Sequence, residues 1–202
     1  MPTFFFPAPN PIKQNDWEQE FRINIYDQMA IQKLTFVLSW HFRQLLGTRP
    51  LVVLCIGTDR STGDSLGPLI GTRLMELRPP MATVLGTLEE PVHAANLQVY
   101  LTRIKENPQN PLVLALDACL GRKENIGTIT IARGPLKPGA GVKKELPPVG
   151  QLHITGIVNV GGFMEYFVLQ NTRLSIVHRM AMNIADVIHH SLLNFQKETG
   201  AI

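Results

Sequence analysis

Residues 51–68 read LVVLCIGTDRSTGDSLGP, and this stretch decides the fold class. Its first seven residues, 51–57, are a continuous apolar and β-branched run that is typical of a strand buried on both faces. A polar, glycine-containing loop with the carboxylates of Asp59 and Asp64 follows, and a helix is predicted from Pro68 to about Arg78. The stretch therefore reads strand, loop, helix, the repeating unit of an α/β protein.

The same alternation continues on both sides of this stretch. Further strands are predicted over 81–88, 111–118, 128–133 and 152–158, of which 128–133 reads as an edge or antiparallel strand. Further helices are predicted over 16–46, over 92–105 and in the closing part of the chain. We therefore predict an α/β fold, a single three-layer α/β/α domain with a mostly parallel sheet. Its parts are an N-terminal arm (1–15), a helical segment (16–48) and the α/β domain (49–197).

Composition excludes several classes of protein. Of 202 residues, 45% are hydrophobic and 17% charged, which excludes a disordered chain. The net charge of +3 is dispersed, so no nucleic-acid partner is expected. The apolar runs are too short to cross a membrane, and the proline-rich start has no basic region of a secretory signal. With two cysteines in apolar surroundings, we expect a reduced, cytoplasmic protein with a flexible N-terminal arm.

Two carboxylates follow strands of the predicted sheet. Asp117 ends the apolar run LVLALD, and Asp64 lies in the loop after the first strand. Ligands and catalytic groups collect at the carboxyl ends of parallel strands, so we expect the two side chains to approach each other. Such a pair splits its proton affinities into one acid and one base, or else binds a metal. The structural alternatives are a helix N-cap for Asp64 and a loop cap for Asp117.

Two histidines extend the metal alternative. His93 follows the second predicted strand of the α/β domain, and His153 begins the last one. Each alone is more often a hydrogen-bonded structural residue, but either completes an Asp/Asp/His set with Asp64 and Asp117. The glycine loop matches neither phosphate-binding pattern, so no nucleotide cofactor is expected, and a divalent metal stays open.

Five long motifs resemble the sporulation protein YyaC family, in the same order along residues 50–195. They are CIGTDRSTGDSLGP (55–68), GTLEEPVHAANL (86–97), ALDACLGRKENIGTI (115–129), GPLKPGAGVKKELPPVG (134–150) and HITGIVNVGGFMEYFVLQNTRL (153–174). That family is related to the germination protease of spore-forming bacteria. Both share a fold, which is phosphorylase/hydrolase-like, with the hydrogenase maturation endopeptidases.

The resemblance implies roles for particular residues. The catalytic carboxylates of the germination protease fall, by motif, on Asp64 and Asp117, and its lysine-rich segment is similar to the stretch around Lys143 and Lys144. The nickel site of the maturation endopeptidases has two acidic residues on the same two loops and a histidine, to which His153 is similar in placement. The germination protease degrades the small acid-soluble proteins that coat spore DNA.

These observations favour a peptidase of the germination-protease type that uses Asp64 and Asp117. Asp59, Lys143 and Lys144 are expected to bind a protein or peptide substrate, and the lysines suit an acidic one. The resemblance implies a sporulating cell or forespore as the location. The alternatives are a metal-dependent endopeptidase with Asp64, Asp117 and His153 as ligands, and a non-catalytic sporulation factor that binds a peptide. Assembly into a homo-oligomer stays open.

Overall fold

A single six-stranded sheet organises residues 17–139 and 146–200, which the computed structural model describes. The strands are β1 (Glu20–Asn24), β2 (Leu51–Cys55), β3 (Ala82–Leu85), β4 (Leu112–Gly121), β5 (Thr128–Arg133) and β6 (Leu152–Val160). The α-helices are α1 (Ala30–Leu45), α2 (Leu66–Leu77), α3 (Leu97–Lys105), α4 (Glu165–Gln170) and α5 (Leu174–Thr199). A 3₁₀ turn spans Lys123–Asn125.

The strand order is β1-β5-β6-β4-β2-β3. The four strands β3, β2, β4 and β6 are parallel, whereas β5 is antiparallel to both β6 and β1. The predicted α/β class with a mostly parallel sheet is confirmed. Residues 128–133 were predicted as an edge or an antiparallel strand. They form an antiparallel strand between β6 and β1, so they are not at the edge of the sheet.

The helix predicted over residues 16–46 is wrong in its first part. Residues 20–24 are strand β1, in which Phe21 lies opposite Ile131 and Ile23 opposite Ile129. Apolar residues two positions apart are typical of a strand, and this short alternation decides the local structure once β5 is available as a partner. The helix itself begins only at Ala30. The predicted arm over 1–15 lies outside the described residues.

The period of two in the central strands divides the core between the two faces of the sheet. Leu114 and Leu116 of β4 pack with α1, α2 and α5, and we call this side the helical face. Val113 and Ala115 pack with Leu97 of α3 on the other side, which we call the site face. Buried side chains alternate in this way because successive residues of a strand point to opposite faces. The three predicted layers follow from this division.

Two element boundaries differ from the prediction in ways that matter for the site. Helix α3 begins at Leu97 rather than at residue 92, because Val92 forms a bridge with Ile56 and residues 93–96 turn. Strand β4 continues to Gly121, so Asp117 lies inside the strand and not at its end. Within the described residues, no helix combines the length and the apolar character that crossing a membrane requires.

Candidate active site

Asp117 occupies the point at which the sheet loses one of its neighbouring strands. Pairing of β2 with β4 ends at Cys55 opposite Leu116, and the Ile56 N–H then donates to Leu116 O at 2.8 Å. Gly57, which follows Ile56, has a φ of 146°, and the chain turns away from β4 at this residue. On its other side Asp117 stays paired with Thr155 of β6. The carboxyl group therefore sits in a rigid strand beside a gap in the sheet.

Asp64 is brought to the same gap by a loop that folds back onto the end of β2. The Thr58 N–H donates to Asp64 O at 3.1 Å, which closes the loop. A Cβ atom on Gly57 would lie 2.0 Å from this carbonyl oxygen, so a side chain at Gly57 is excluded by the close approach. Similarly, a Cβ atom on Gly67 would lie 2.1 Å from Ile56 O, and α2 thus begins directly against the strand.

The carboxyl group of Asp64 does not cap the helix that follows it. The N-cap residue of α2 is Ser65, and no side-chain hydrogen bond caps this helix. The Ser65 hydroxyl donates instead to Thr62 O at 2.7 Å, inside the loop. The structural alternative for Asp64, a helix N-cap, is therefore not what the structure has.

A cavity of about 320 Å³ contains both carboxyl groups. The described residues around it lie in the loop after β2, in the turn before α3, on strand β4, and on either side of 140–145. Its lining residues are Ile56, Gly57, Thr58, Asp59, Arg60, Asp64, Pro91, His93, Ala94, Ala95, Asp117, Ala118, Gly139 and Leu146. The cavity is open to solvent and its volume suits a short segment of a ligand such as a peptide.

Burial and mutual repulsion separate the proton affinities of the two carboxyl groups. Asp117 is 8% exposed, and burial together with the charge of Asp64 raises its pKa to about 8, against hydrogen bonds from the backbone of Ala118 and Gly139. Burial also raises the pKa of the half-buried Asp64. Because Asp117 is the more buried group and also feels the charge of Asp64, the pair holds its proton more strongly on Asp117. One group is thus a base and the other an acid.

The structure does not assemble the Asp64, Asp117 and His153 metal set. His153 faces the same side of the sheet as Asp117. Its partner on β4 is Ala115, which comes two residues before Asp117. Its Nδ1 donates to Gly134 O at 3.0 Å, and the residue does not line the cavity. Within residues 17–139 and 146–200, no three His, Cys, Asp or Glu side chains are grouped as a metal site requires.

The predicted substrate-binding residues are placed in part. Asp59 is exposed at the cavity, where the Thr58 hydroxyl lies 3.5 Å from its Oδ1. Lys143 and Lys144 lie outside the described residues, although Gly139 and Leu146 on either side of that segment line the cavity.

Two contributors to the site were not singled out from the sequence. They are Arg60, at the cavity, and the backbone of Gly139, which hydrogen-bonds to Asp117. The signal for Arg60 was its place beside Asp59 in the loop after β2. Nothing in the sequence indicated the backbone contact of Gly139.

Comparisons with known proteins identify the family. The chain is 54% identical over 160 residues, 79% of this chain and 78% of the relative, to "Uncharacterized protein YyaC" of Bacillus subtilis (strain 168). Among solved structures it is similar to the [NiFe] hydrogenase maturation protease HycI from Thermococcus kodakarensis KOD1, with a TM-score of 0.47 and 19% identity over 75% of this chain and 98% of that one. The family described as "Protein of unknown function (DUF1256)" matches residues 22–187. Because this match spans most of the chain, the protein belongs to the DUF1256 family.

Proposed function

We propose that this protein is a peptidase that hydrolyses peptide bonds with the carboxyl pair Asp64 and Asp117. The observation that carries the proposal is the presence of both groups in one solvent-connected cavity, with the pKa of Asp117 raised to about 8. A protonated and an ionised carboxyl group in one cavity supply the acid and the base of general acid–base hydrolysis. The motif resemblance to the germination protease supports the same two residues.

The proposed reaction uses each carboxyl group once. Ionised Asp64 accepts a proton from a water molecule while the water oxygen attacks the carbonyl carbon of the substrate. Asp117 then gives its proton to the leaving amide nitrogen as the C–N bond breaks. The product is a carboxylic acid and an amine. Transfer of the proton from Asp64 back to Asp117, directly or through water, restores the starting state.

For the substrate we propose a protein or peptide, with the small acid-soluble spore proteins as the first to be tested. Lys143 and Lys144 would attract an acidic substrate, and Asp59 would contact it at the cavity. The site of action would be the cytoplasm of the sporulating cell or forespore. These assignments rest on the motif resemblance alone.

A metal-dependent reaction has less support. His93 lines the same cavity, but in the described part of the chain it is not grouped with the two carboxyl groups as a metal site requires.

The proposal is tested by cleavage of a purified small acid-soluble spore protein and of a mixed peptide library. We expect Asp64→Asn and Asp117→Asn each to lower kcat about 10⁴-fold, because each removes one half of a single acid–base unit. The double variant should be hardly worse than either single one, since groups that act as a unit are not additive. Product formation is followed by mass spectrometry.

The matched control is Asp186→Asn, on α5 at the helical face, which should cleave as the parent does. Retention of parental activity in both site variants contradicts the carboxyl pair. A parent protein that binds these substrates without cleaving them identifies a non-catalytic peptide-binding factor and contradicts the peptidase.

A further inference from the structure

The lining of the cavity also includes His93, which the backbone around it holds in place. His93 directly follows Val92, whose backbone pairs with Ile56 at the end of β2. The Gly57 N–H donates to Val92 O at 2.8 Å, so the turn that carries His93 is tied to the same glycine that shapes the Asp64 loop. Movement of this histidine relative to Asp64 is therefore restricted by the backbone.

A small hydrogen-bonded turn fixes the histidine further. The His93 N–H donates to Asn96 Oδ1 at 2.8 Å, and Asn96 Nδ2 donates to Pro91 O at 3.0 Å. Asn96 thus links both ends of the turn before α3 starts at Leu97. Both bonds run from the Asn96 side chain back to backbone groups of the same turn, so the turn is held without a partner from elsewhere.

The same turn determines which ring nitrogen carries the proton. The Ala95 N–H donates to His93 Nδ1 at 3.2 Å, so this nitrogen accepts and has no hydrogen of its own. A neutral imidazole must then carry its proton on Nε2. In the described residues the only protein hydrogen bond to the ring is the one at Nδ1, which leaves Nε2–H to interact with a ligand.

We propose, resting on the proposed function, that the Nε2–H of His93 donates to the carbonyl oxygen of the scissile peptide bond and stabilises the oxyanion. When water attacks, the π electrons of the carbonyl move to its oxygen, and a fixed donor there lowers the barrier. Both carboxyl groups are occupied with the proton transfers at the water and at the amide nitrogen. Of the two basic side chains in the lining, His93 is held by its turn, whereas Arg60 is exposed.

The tautomer is measured first, on the parent protein and without substrate. Long-range ¹H–¹⁵N NMR spectra of ¹⁵N-labelled protein at pH 8, with the ring assigned by its loss in His93→Ala, distinguish protonated from unprotonated ring nitrogens. We expect protonation at Nε2 only. A proton on Nδ1 overturns the proposal whatever the cleavage assay shows.

Kinetics then measure the contribution to the reaction, on the spore protein or library peptide that the parent cleaves. His93→Ala should lower kcat about 10²- to 10³-fold with little change in KM, as for loss of one oxyanion donor. His93→Gln, whose side-chain amide is again a donor, should recover about tenfold of this loss. The matched control is His190→Ala, exposed on α5, which should not change kcat.

The outcomes separate this proposal from the proposed function. If Asp64→Asn and Asp117→Asn are inactive while His93→Ala has parental kcat, the peptidase stands and the role of His93 is wrong. The role is also wrong if the loss in His93→Ala is confined to KM. If the parent cleaves none of these substrates, or if both Asn variants cleave normally, the proposed function fails and the role of His93 fails with it.

Discussion

The helical face and the site face of the sheet are built very differently. On the helical face three helices, α1, α2 and α5, cover the strands, and large side chains such as Phe42 and Leu38 are fully buried there. On the site face the cover that the described residues provide is the nine-residue helix α3, with Leu97 as its buried residue, and the bridge between Leu136 and Val149. The thin cover leaves room for a cavity of about 320 Å³.

This difference between the faces explains how the fold remains stable with a buried carboxyl pair. Burial of apolar surface is the main source of stability, and most of it lies on the helical face. Burial of Asp117 on the site face acts in the opposite direction whenever this group is ionised. The molecule thus separates the side that stabilises the fold from the side that holds the chemistry.

The largest expected effect on stability is the dependence of unfolding on pH. The folded pKa of Asp117, about 8, lies above the ordinary value of 3.8 in the unfolded chain. Between these values the folded state holds a proton that the unfolded state has lost, so raising the pH lowers the free energy of unfolding. The slope approaches about 1.4 kcal/mol per pH unit, for a total on the order of 5 kcal/mol.

Asp117→Asn should remove the contribution of this group, because the amide does not titrate, and leave that of Asp64 and the opposite contribution of His41, whose pKa burial lowers to about 4. The measurement is urea unfolding of both proteins between pH 5 and pH 8, with Asp186→Asn as the control that keeps the parental slope. Equal slopes in the parent and in Asp117→Asn would show that Asp117 is ionised in the folded protein at neutral pH.

A pair of leucines on adjacent strands compares the two faces directly. Leu114 of β4 points to the helical face and Leu54 of β2 to the site face, and both have 0% exposure. We expect Leu114→Ala to lower the free energy of unfolding by about 4 kcal/mol and Leu54→Ala by about 3 kcal/mol, because a rigid, three-helix cover collapses less around the new cavity. Chemical denaturation measures both, and a larger loss for Leu54→Ala would reverse the comparison.

The central part of the fold was predictable from sequence because its signals are local and strong. The buried runs of β2 and β4 and the apolar stripe of α5 need no knowledge of their partners. Strand β1 was not predicted, since its alternation covers only Phe21 and Ile23 and its partner β5 is about a hundred residues away. Such a segment becomes a strand through pairing, which a local pattern does not contain.

The part of the site that could be predicted from sequence is the pair of residues near the predicted carboxyl ends of two strands. Asp64 follows the carboxyl end of β2, and Asp117 lies on β4 just beyond the last residue that pairs with β2, so both reach the same edge. The position of His153 depends on the register between β6 and β4. This register places it opposite Ala115, two residues before Asp117. The tautomer of His93 depends on one backbone N–H in a turn, and no spacing of residue types reports that.

The smallest expected effect concerns an ion pair at the rim of the helical face. Arg43 of α1 and Glu198 of α5 form two hydrogen bonds, of 2.7 and 3.1 Å, and their side chains are 41% and 48% exposed. Exposed pairs contribute little, because solvent screens the attraction and ordering two long side chains costs entropy. A double-mutant cycle of Arg43→Ala and Glu198→Ala, followed by urea unfolding, should give a coupling of about 0.5 kcal/mol. Cleavage should not change in any of the three variants, since the pair lies on the face opposite the cavity. A coupling above about 2 kcal/mol would mean that the helical face depends on its charged rim as well as on its apolar interior.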